Sequence, residues 1–185
     1  LNRNRSVLII EKSNKVGKKI LISGGGRCNF TNLNIDPLAY ISENPHFCKS
    51  ALSRYTQWDI IALFESFQLS WGEKKLGQLF CDQKSIGVLN ALLKSCEKAK
   101  IELNVKTLII KKDIKYIVKA NEKEYQTQSL VIATGGPSIP KMGSSDFGLK
   151  VADQFGIKSV SFAPGLVPFT FNQKDIDKYF KDLSG

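Results

Sequence analysis

The run Ser23–Asn32, which reads SGGGRCNFTN, holds the residues of this chain that are best suited to bind a ligand. Its three consecutive glycines leave backbone N–H groups that a ligand can approach closely. Arg27 follows at once and offers a planar guanidinium fork that suits phosphate or ring carbonyls. Asparagine and threonine side chains beyond it add directional donors and acceptors. The run therefore predicts a site for a phosphate or a flat heterocycle, and a flexible surface loop is the alternative interpretation.

Cys28, inside the same run, has two interpretations. A neighbouring arginine favours a thiolate, which would make Cys28 a redox thiol. A small packing residue is the favoured interpretation, because free cysteine is among the most buried residue types. The four cysteines contain no C-x-x-C pair and the chain has one histidine, so the sequence predicts neither a metal site nor a Ser-His-Asp arrangement. Scattered single thiols are typical of a reducing cytoplasm.

Two apolar runs predict strands that would position these ligand-binding residues. Val7–Ile10 predicts a fully buried strand that ends at Glu11, and an acid at that place binds ribose hydroxyls in dinucleotide sites. The glycine fingerprint that would precede such a strand is not in the sequence, and a solvated strand end is the alternative. Leu130–Thr134 predicts a second buried strand, and Gly135 and Gly136 after it would let backbone pass close to a ligand. A tight turn is the alternative there.

The remaining elements follow from apolar periodicity and turn residues. The sequence predicts helices at Trp58–Leu69, Lys84–Lys98 and Asp146–Phe155, the last capped by Ser144 or Ser145 and ended by Gly156. It predicts a hairpin over Trp71–Cys81 with its turn near Gly77, and strands at Ile101–Val105, Leu108–Lys112, Ile114–Val118 and Glu124–Gln128. The closely spaced strands are typical of a meander rather than of βαβ units.

Composition narrows the class of protein. The 185 residues are 42% hydrophobic and contain no apolar run of the roughly 20 residues that span a bilayer. The formal net charge is +10, but the lysines occur as scattered single residues and pairs. Solvated lysine surfaces are the favoured interpretation, and a nucleic-acid surface is the alternative. Because the chain starts at Leu1 and ends without a completed element, we expect it to be a segment of a longer protein.

Several segments together resemble one family, the BaiN-like flavoproteins, which are NAD(P)/FAD-dependent oxidoreductases or aminoacetone-oxidase-family FAD-binding enzymes. The segments are Val7–Ser13, Val16–Lys19, Ser23–Asn32, Gly77–Phe80, Val131–Pro137, Gly143–Gly148 and Pro164–Pro168. The resemblance covers nearly the whole chain, and its glycine-arginine-cysteine-asparagine motif is specific. Gln78 and Cys81 depart from it, because arginine and proline are expected at these positions.

The resemblance implies an α/β fold with α+β elements. Residues 1–156 would form a partial glutathione-reductase-type, FAD-binding, Rossmann-like domain that carries a β-meander and lacks the first glycine-rich loop. Residues 157–185 would begin an inserted domain. FAD is the implied cofactor, with NAD(P)H as a candidate electron donor. The implied cofactor-binding residues are Glu11, Lys12, Gly24, Gly25, Arg27, Cys28, Asn29, Val105, Thr134, Gly135 and Gly136. Glu11 would bind the adenosine ribose, and the backbone of Val105 would meet the adenine.

The leading hypothesis is a cytoplasmic FAD-dependent oxidoreductase that acts on a small-molecule substrate, has no membrane partner and is present here as an incomplete chain. The sequence assigns no catalytic residue, no particular substrate and no oligomeric state. The second hypothesis is a basic, nucleic-acid-associated flavoprotein-like binding protein. A truncated, non-catalytic product is the third.

Overall fold

The structure is a computed structural model that describes residues 5–139, 143–165 and 169–183, with nothing stated of the Asp182 side chain. Met142 and the 166–168 part of the proline-flanked motif therefore lie outside the described residues. The chain divides into two compact units, Leu1–Leu130 and Val131–Gly185. This division concerns packing, and the domain boundary expected between residues 156 and 157 stays a prediction.

The first unit contains both strands and helices, and its last four described elements are all strands. Its strands are β1 (Leu8–Ile10), β2 (Asn29–Asn32), β3 (Trp71–Glu73), β4 (Gln78–Cys81), β5 (Lys100–Glu102), β6 (Thr107–Lys112), β7 (Tyr116–Ala120) and β8 (Lys123–Thr127). Its helices are α1 (Lys18–Ile22), α2 (Lys49–Arg54), α3 (Gln57–Ser66) and α4 (Lys84–Ser95). Short 3₁₀ turns at Ser23–Gly26, Pro37–Ala39 and Lys75–Gly77 connect them.

β1 and β5 form a parallel pair in which Ile9 lies opposite Ile101. The two strands confirm the apolar runs predicted near Val7 and Ile101, with shorter bounds. Burial differs from the prediction, because Leu8 and Ile9 are each 36% exposed. A strand flanked by one neighbour keeps one edge and part of each face open, so β1 is not fully buried.

α1, which carries the chain from β1 to the glycine run, packs against α4. Gly17, at φ +68°, begins α1, and a Cβ there would come within 2.4 Å of Leu89 Cδ1. The glycine therefore lets α1 approach α4 closely. Buried Ser85 of α4 donates its hydroxyl to the Leu21 carbonyl at 3.0 Å, which fixes the end of α1 next to the glycines.

β2, β4 and β3 form an antiparallel sheet in that order. The hairpin β3–β4 turns at Lys75–Gly77, which confirms the predicted hairpin and turn. The core behind the sheet combines buried Cys28, Phe64, Cys81 and Val88. Phe64 belongs to α3, which begins at a capping box, since the side chains of Thr56 and Asp59 each accept a hydrogen bond from the other residue's backbone N–H.

β6, β7 and β8 form a meander, as predicted, with Ile110 opposite Val118 and Val118 opposite Tyr125. The prediction that the strand near Ile101 belongs to this meander is wrong, because β5 pairs in parallel with β1 instead. Glu102 of β5 ties the meander to the parallel pair. Its carboxylate lies 2.7 Å from Lys100 Nζ and accepts a hydrogen bond of 2.7 Å from the Tyr125 hydroxyl. These two contacts, in that order, lower the pKa of Glu102 to about 2.

The second unit contains α5 (Phe147–Gln154), close to the predicted helix. Gly156, at φ +68°, ends it as predicted, and its N–H donates to the Asp153 carbonyl. Two other predictions are wrong. Asp146 rather than a serine precedes the helix, with no side-chain cap, and the Ser144 hydroxyl donates to the Ser138 carbonyl instead. Residues 130–134 form no strand, and Val131 is 82% exposed, so a run of apolar residues without strand neighbours does not become a buried strand.

Candidate functional site

The glycine run folds as a tight turn whose three glycines all have left-handed φ angles of 55°, 68° and 82°. A Cβ on Gly24 would lie 2.8 Å from Phe80 Cε1 and 2.9 Å from the Asn29 nitrogen, so Gly24 is required by packing. A Cβ on Gly25 would meet nothing within 4 Å. The exposed backbone of Gly25 is therefore bare, as close approach by a ligand requires.

Cys28 closes the turn, and its N–H donates to the Ser23 carbonyl at 2.9 Å. Its side chain is buried in the core, and desolvation raises the pKa of the thiol against an opposing hydrogen bond from Ser23. The geometry favours the packing interpretation over a redox thiolate. Any contact of Cys28 with a cofactor is left to its backbone.

Arg27 and Asn29 flank Cys28 and are both exposed. Arg27 lines a cleft of about 300 Å³ together with Lys74, Lys84 and Phe80, and Lys74 Nζ lies 4.4 Å from the centroid of the Phe80 ring. The same lining includes the carboxylates of Glu73 and Asp82, so three cations and two carboxylates leave the cleft a formal net charge of +1. The Asn29 amide is best oriented with its nitrogen donating to the Thr31 and Leu79 carbonyls, both at 3.2 Å.

Glu11 and Val105 meet at the carboxyl ends of β1 and β5, the edge at which parallel α/β sheets bind ligands. The Val105 N–H donates to the Glu11 carbonyl at 3.0 Å, so the Val105 carbonyl is what remains for an adenine. Glu11 Oε1 accepts from the Ser13 N–H at 2.7 Å. Within the described part of the chain, Glu11 Oε2 makes no hydrogen bond and is available to a ribose hydroxyl. Lys12 is exposed beside it.

Thr134, Gly135 and Gly136 belong to the second unit. Gly135 has φ +71° and open surroundings, whereas a Cβ on Gly136 would lie 3.1 Å from Phe162 Cζ. Thr134 and Gly135 are exposed. The structure thus joins Glu11 to Val105 and gathers Gly24, Gly25, Arg27, Cys28 and Asn29 in one turn, and Thr134–Gly136 lie in the second unit.

A second cleft, of about 420 Å³, was not predicted from the sequence. It is lined by β2, by the loop that follows, and by Gln78 at the start of β4. The asparagine-rich character of the segment after the glycine run was its one sequence signal. Because the loop reaches β4 only through the tertiary fold, its amides could not be grouped with Gln78 beforehand. We call this the amide cleft.

Two absences concern the described residues, 5–139, 143–165 and 169–183. No group of three or more histidine, cysteine, aspartate or glutamate side chains in that part of the chain is placed to hold a metal ion. None of the helices there has both the length and the apolar character needed to cross a membrane.

Residues 1–177 match the family described as the HI0933-like protein Rossmann domain. The chain belongs to this family. The HI0933-like family is an FAD-binding family with an α/β, Rossmann-like fold, which confirms the predicted fold class. The resemblance to flavoproteins is confirmed at the level of this family.

Three relatives of this HI0933-like chain are named as enzymes. It is 46% identical over 172 residues to the ribosomal RNA dihydrouridine synthase of Escherichia coli, which covers 91% of the chain and 43% of that protein. It is 42% identical over 188 residues to the protein of the same name from Haemophilus influenzae, covering 98% and 46%. It is 28% identical over 165 residues to the 3-dehydro-bile acid delta(4,6)-reductase of Clostridium scindens, covering 87% and 40%. The chain spans less than half the length of these curated relatives.

Proposed function

We propose that this chain is part of an FAD-dependent oxidoreductase that reduces a uridine of ribosomal RNA to dihydrouridine. The observation that carries the proposal is the identity of 46% and 42% to two proteins named as ribosomal RNA dihydrouridine synthases. These alignments include the glycine turn and both clefts, since they cover 91% and 98% of the chain. We therefore propose RNA, rather than a small molecule, as the substrate.

The residues of the chain fit a bound FAD. Glu11 Oε2 would accept from a ribose hydroxyl, and the Val105 carbonyl would face the adenine. The bare backbone of Gly25 and the exposed guanidinium of Arg27 would face the pyrophosphate and the ring system. When bound, FAD supplies hydride chemistry to the site.

The reaction adds two hydrogens across the C5–C6 double bond of uracil, one as hydride and one as a proton. The electrons would come from NAD(P)H, and we assign no proton donor in this chain. The role of the chain's residues is to bind and orient the cofactor and to hold a basic surface toward RNA. The net charge of +10 supports the last role, because phosphate neutralisation contributes much of RNA affinity. We place the reaction in the cytoplasm.

A BaiN-like small-molecule reductase is the second candidate. It is favoured by the 28% identity to the 3-dehydro-bile acid delta(4,6)-reductase. Both candidates share the cofactor and differ in substrate, so one experiment separates them.

The test uses the intact protein that contains this chain, expressed in E. coli cells that lack the related synthase. We expect a flavin absorption spectrum from the purified protein and dihydrouridine in the ribosomal RNA by nucleoside mass spectrometry. A protein without flavin, even after reconstitution, would overturn both candidates. A flavoprotein that forms no dihydrouridine would overturn the RNA substrate and leave the small-molecule reductase.

Glu11→Gln tests the cofactor geometry in the same protein. The amide oxygen can still accept from Ser13, so the local turn is kept while the charge that faces the ribose is removed. We expect weaker FAD binding. Glu122→Gln, an exposed glutamate in the turn between β7 and β8, is the matched control and should bind FAD as the wild type does.

A further inference from the structure

The amide cleft has a chemical character that neither the family nor the relatives' names assign. Its floor is β2, its rim is the loop 33–40, and Gln78 of β4 closes one side. Its volume of about 420 Å³ lies within the usual range for small-molecule sites. It begins at Asn29, which is also part of the proposed FAD wall, so the two sites adjoin.

The rim of the amide cleft is fixed in place by hydrogen bonds. The Asn32 amide nitrogen donates to the Leu76 carbonyl at 2.9 Å, and its oxygen accepts from the Asn34 N–H at 2.7 Å. The Leu33 N–H donates to the Gly77 carbonyl at 2.9 Å. Gly77, at φ +75°, has no room for a Cβ, which would lie 2.7 Å from Asn32 Oδ1. The loop is therefore held against the hairpin β3–β4, and the cleft is preformed.

Two carboxamides of the amide cleft are exposed and have no partner among the described residues. They belong to Asn34 and Gln78, whose hydrogen bonds to other described residues are made by their backbones alone. A carboxamide presents a donor and an acceptor in one plane. This arrangement matches the edge of an imide, in which an N–H lies between two carbonyls.

The charge and the aromatic surface of the cleft lining further restrict the kind of ligand that fits. Of the described residues that line the cleft, Asp36 alone is charged, and its carboxylate accepts from the Leu38 N–H at 2.9 Å. The lining holds no cation for a phosphate. Tyr40, which is 40% exposed, adds an aromatic face. The ligand that fits is a neutral, flat heterocycle with an imide edge.

We propose that the amide cleft binds the uracil base of the RNA substrate, with Asn34 and Gln78 reading its imide edge. This inference rests on the proposed function for its substrate class. Uracil and the flavin ring share the imide chemistry, and the experiment must separate them.

The test measures binding of the intact, FAD-loaded protein to a single-stranded oligouridine and to the same oligonucleotide built from N3-methyluridine. Methylation removes the imide N–H and leaves the charge of the RNA unchanged. We expect the wild type to bind oligouridine about 5- to 150-fold more tightly, the range that a bidentate base contact provides. Gln78→Leu and Asn34→Leu should reduce this preference toward one while keeping their flavin.

Gln126→Leu is the matched control, because Gln126 is an exposed carboxamide on β8 outside the cleft. It should keep the full preference for oligouridine. Equal binding of both oligonucleotides by the wild type would overturn the proposal. Loss of flavin from Gln78→Leu and Asn34→Leu would also overturn it, since the cleft would then hold the flavin ring.

Failure of the proposed function gives a different result. A wild-type protein that forms no dihydrouridine yet discriminates against N3-methyluridine, with the preference lost in Gln78→Leu, would support the cleft and contradict the reaction. Dihydrouridine formation without such discrimination would support the reaction and contradict the cleft.

Discussion

Gly24 and Gly25 are neighbours with the same left-handed backbone, and alanine at each position should have different consequences. An alanine at positive φ costs about 1–2 kcal/mol of folding stability in either case. At Gly24 the new Cβ would also lie 2.9 Å from the Asn29 nitrogen, a backbone atom that cannot move aside freely. Overpacking of this kind costs about 1–3 kcal/mol more.

For FAD affinity we expect the opposite order, with Gly25→Ala as the more strongly affected variant. Its Cβ would enter open space on the face that we propose for FAD. Loss of one charge-assisted hydrogen bond from the backbone corresponds to about 1.5–3 kcal/mol, or roughly a 10- to 150-fold weaker FAD affinity. Gly24→Ala should therefore be the less stable protein, and Gly25→Ala should be a well-folded protein with weak FAD binding.

Two measurements on the intact protein check this. Urea denaturation of the FAD-free form gives the free energy of unfolding, and quenching of flavin fluorescence gives the FAD dissociation constant. Gly156→Ala is the control, since Gly156 has φ +68° and open surroundings but follows α5 and is not among the proposed FAD-binding residues. It should match Gly25→Ala in stability and the wild type in FAD affinity.

Wild-type FAD affinity in Gly25→Ala would contradict this prediction, because the bare backbone would then face no cofactor. Equal destabilisation of Gly24→Ala and Gly25→Ala would also contradict it, because the contact with the Asn29 nitrogen would then cost no stability.

Three further predictions concern stability and reactivity. Thr56→Ala removes the cap of α3 and should cost about 1 kcal/mol in urea denaturation. The hydrogen bonds from Lys100 and then Tyr125 lower the pKa of Glu102, so Glu102 adds folding stability that is present above pH 4.5 and is lost as the pH falls toward about 2. In Tyr125→Phe, an NMR titration should show that the pKa of Glu102 is higher than in the wild type. Iodoacetamide near neutral pH should label Cys96 of the native chain first, because the other three cysteines are buried; mass spectrometry that finds them labelled equally fast would contradict this.

Local pattern was sufficient for the elements whose stabilising contacts repeat along the sequence. The apolar period of Gln57–Ser66 and Lys84–Ser95 predicted both helices to within a few residues. Alternation and turn residues predicted the hairpin around Gly77 and the pairing of β6, β7 and β8. These pairings join segments that are close in the chain, so turn chemistry sets their register.

The elements that depend on pairing between distant segments could not be predicted from the sequence. Asn29–Asn32 is polar and carries no strand signal, yet it forms β2 because β4, about fifty residues later, supplies its hydrogen bonds. Residues 130–134 show the converse, since their composition is that of a strand but they form none in the described structure. The exposure of β1 likewise depends on which strands flank it.

The sequence by itself predicted SGGGRCNFTN as a ligand-binding segment, because a bare glycine backbone followed by an arginine suits a phosphate or a flat ring. Only the tertiary structure separated its members. In the tertiary structure the Cys28 thiol is buried, Gly24 packs against Phe80, and a side chain at Gly25 would enter open space. The tertiary structure also brought Gln78 to the asparagine-rich loop and so formed the amide cleft. The physical reason is that burial and clefts arise from contacts between segments far apart in the chain, which residue type and spacing do not encode locally.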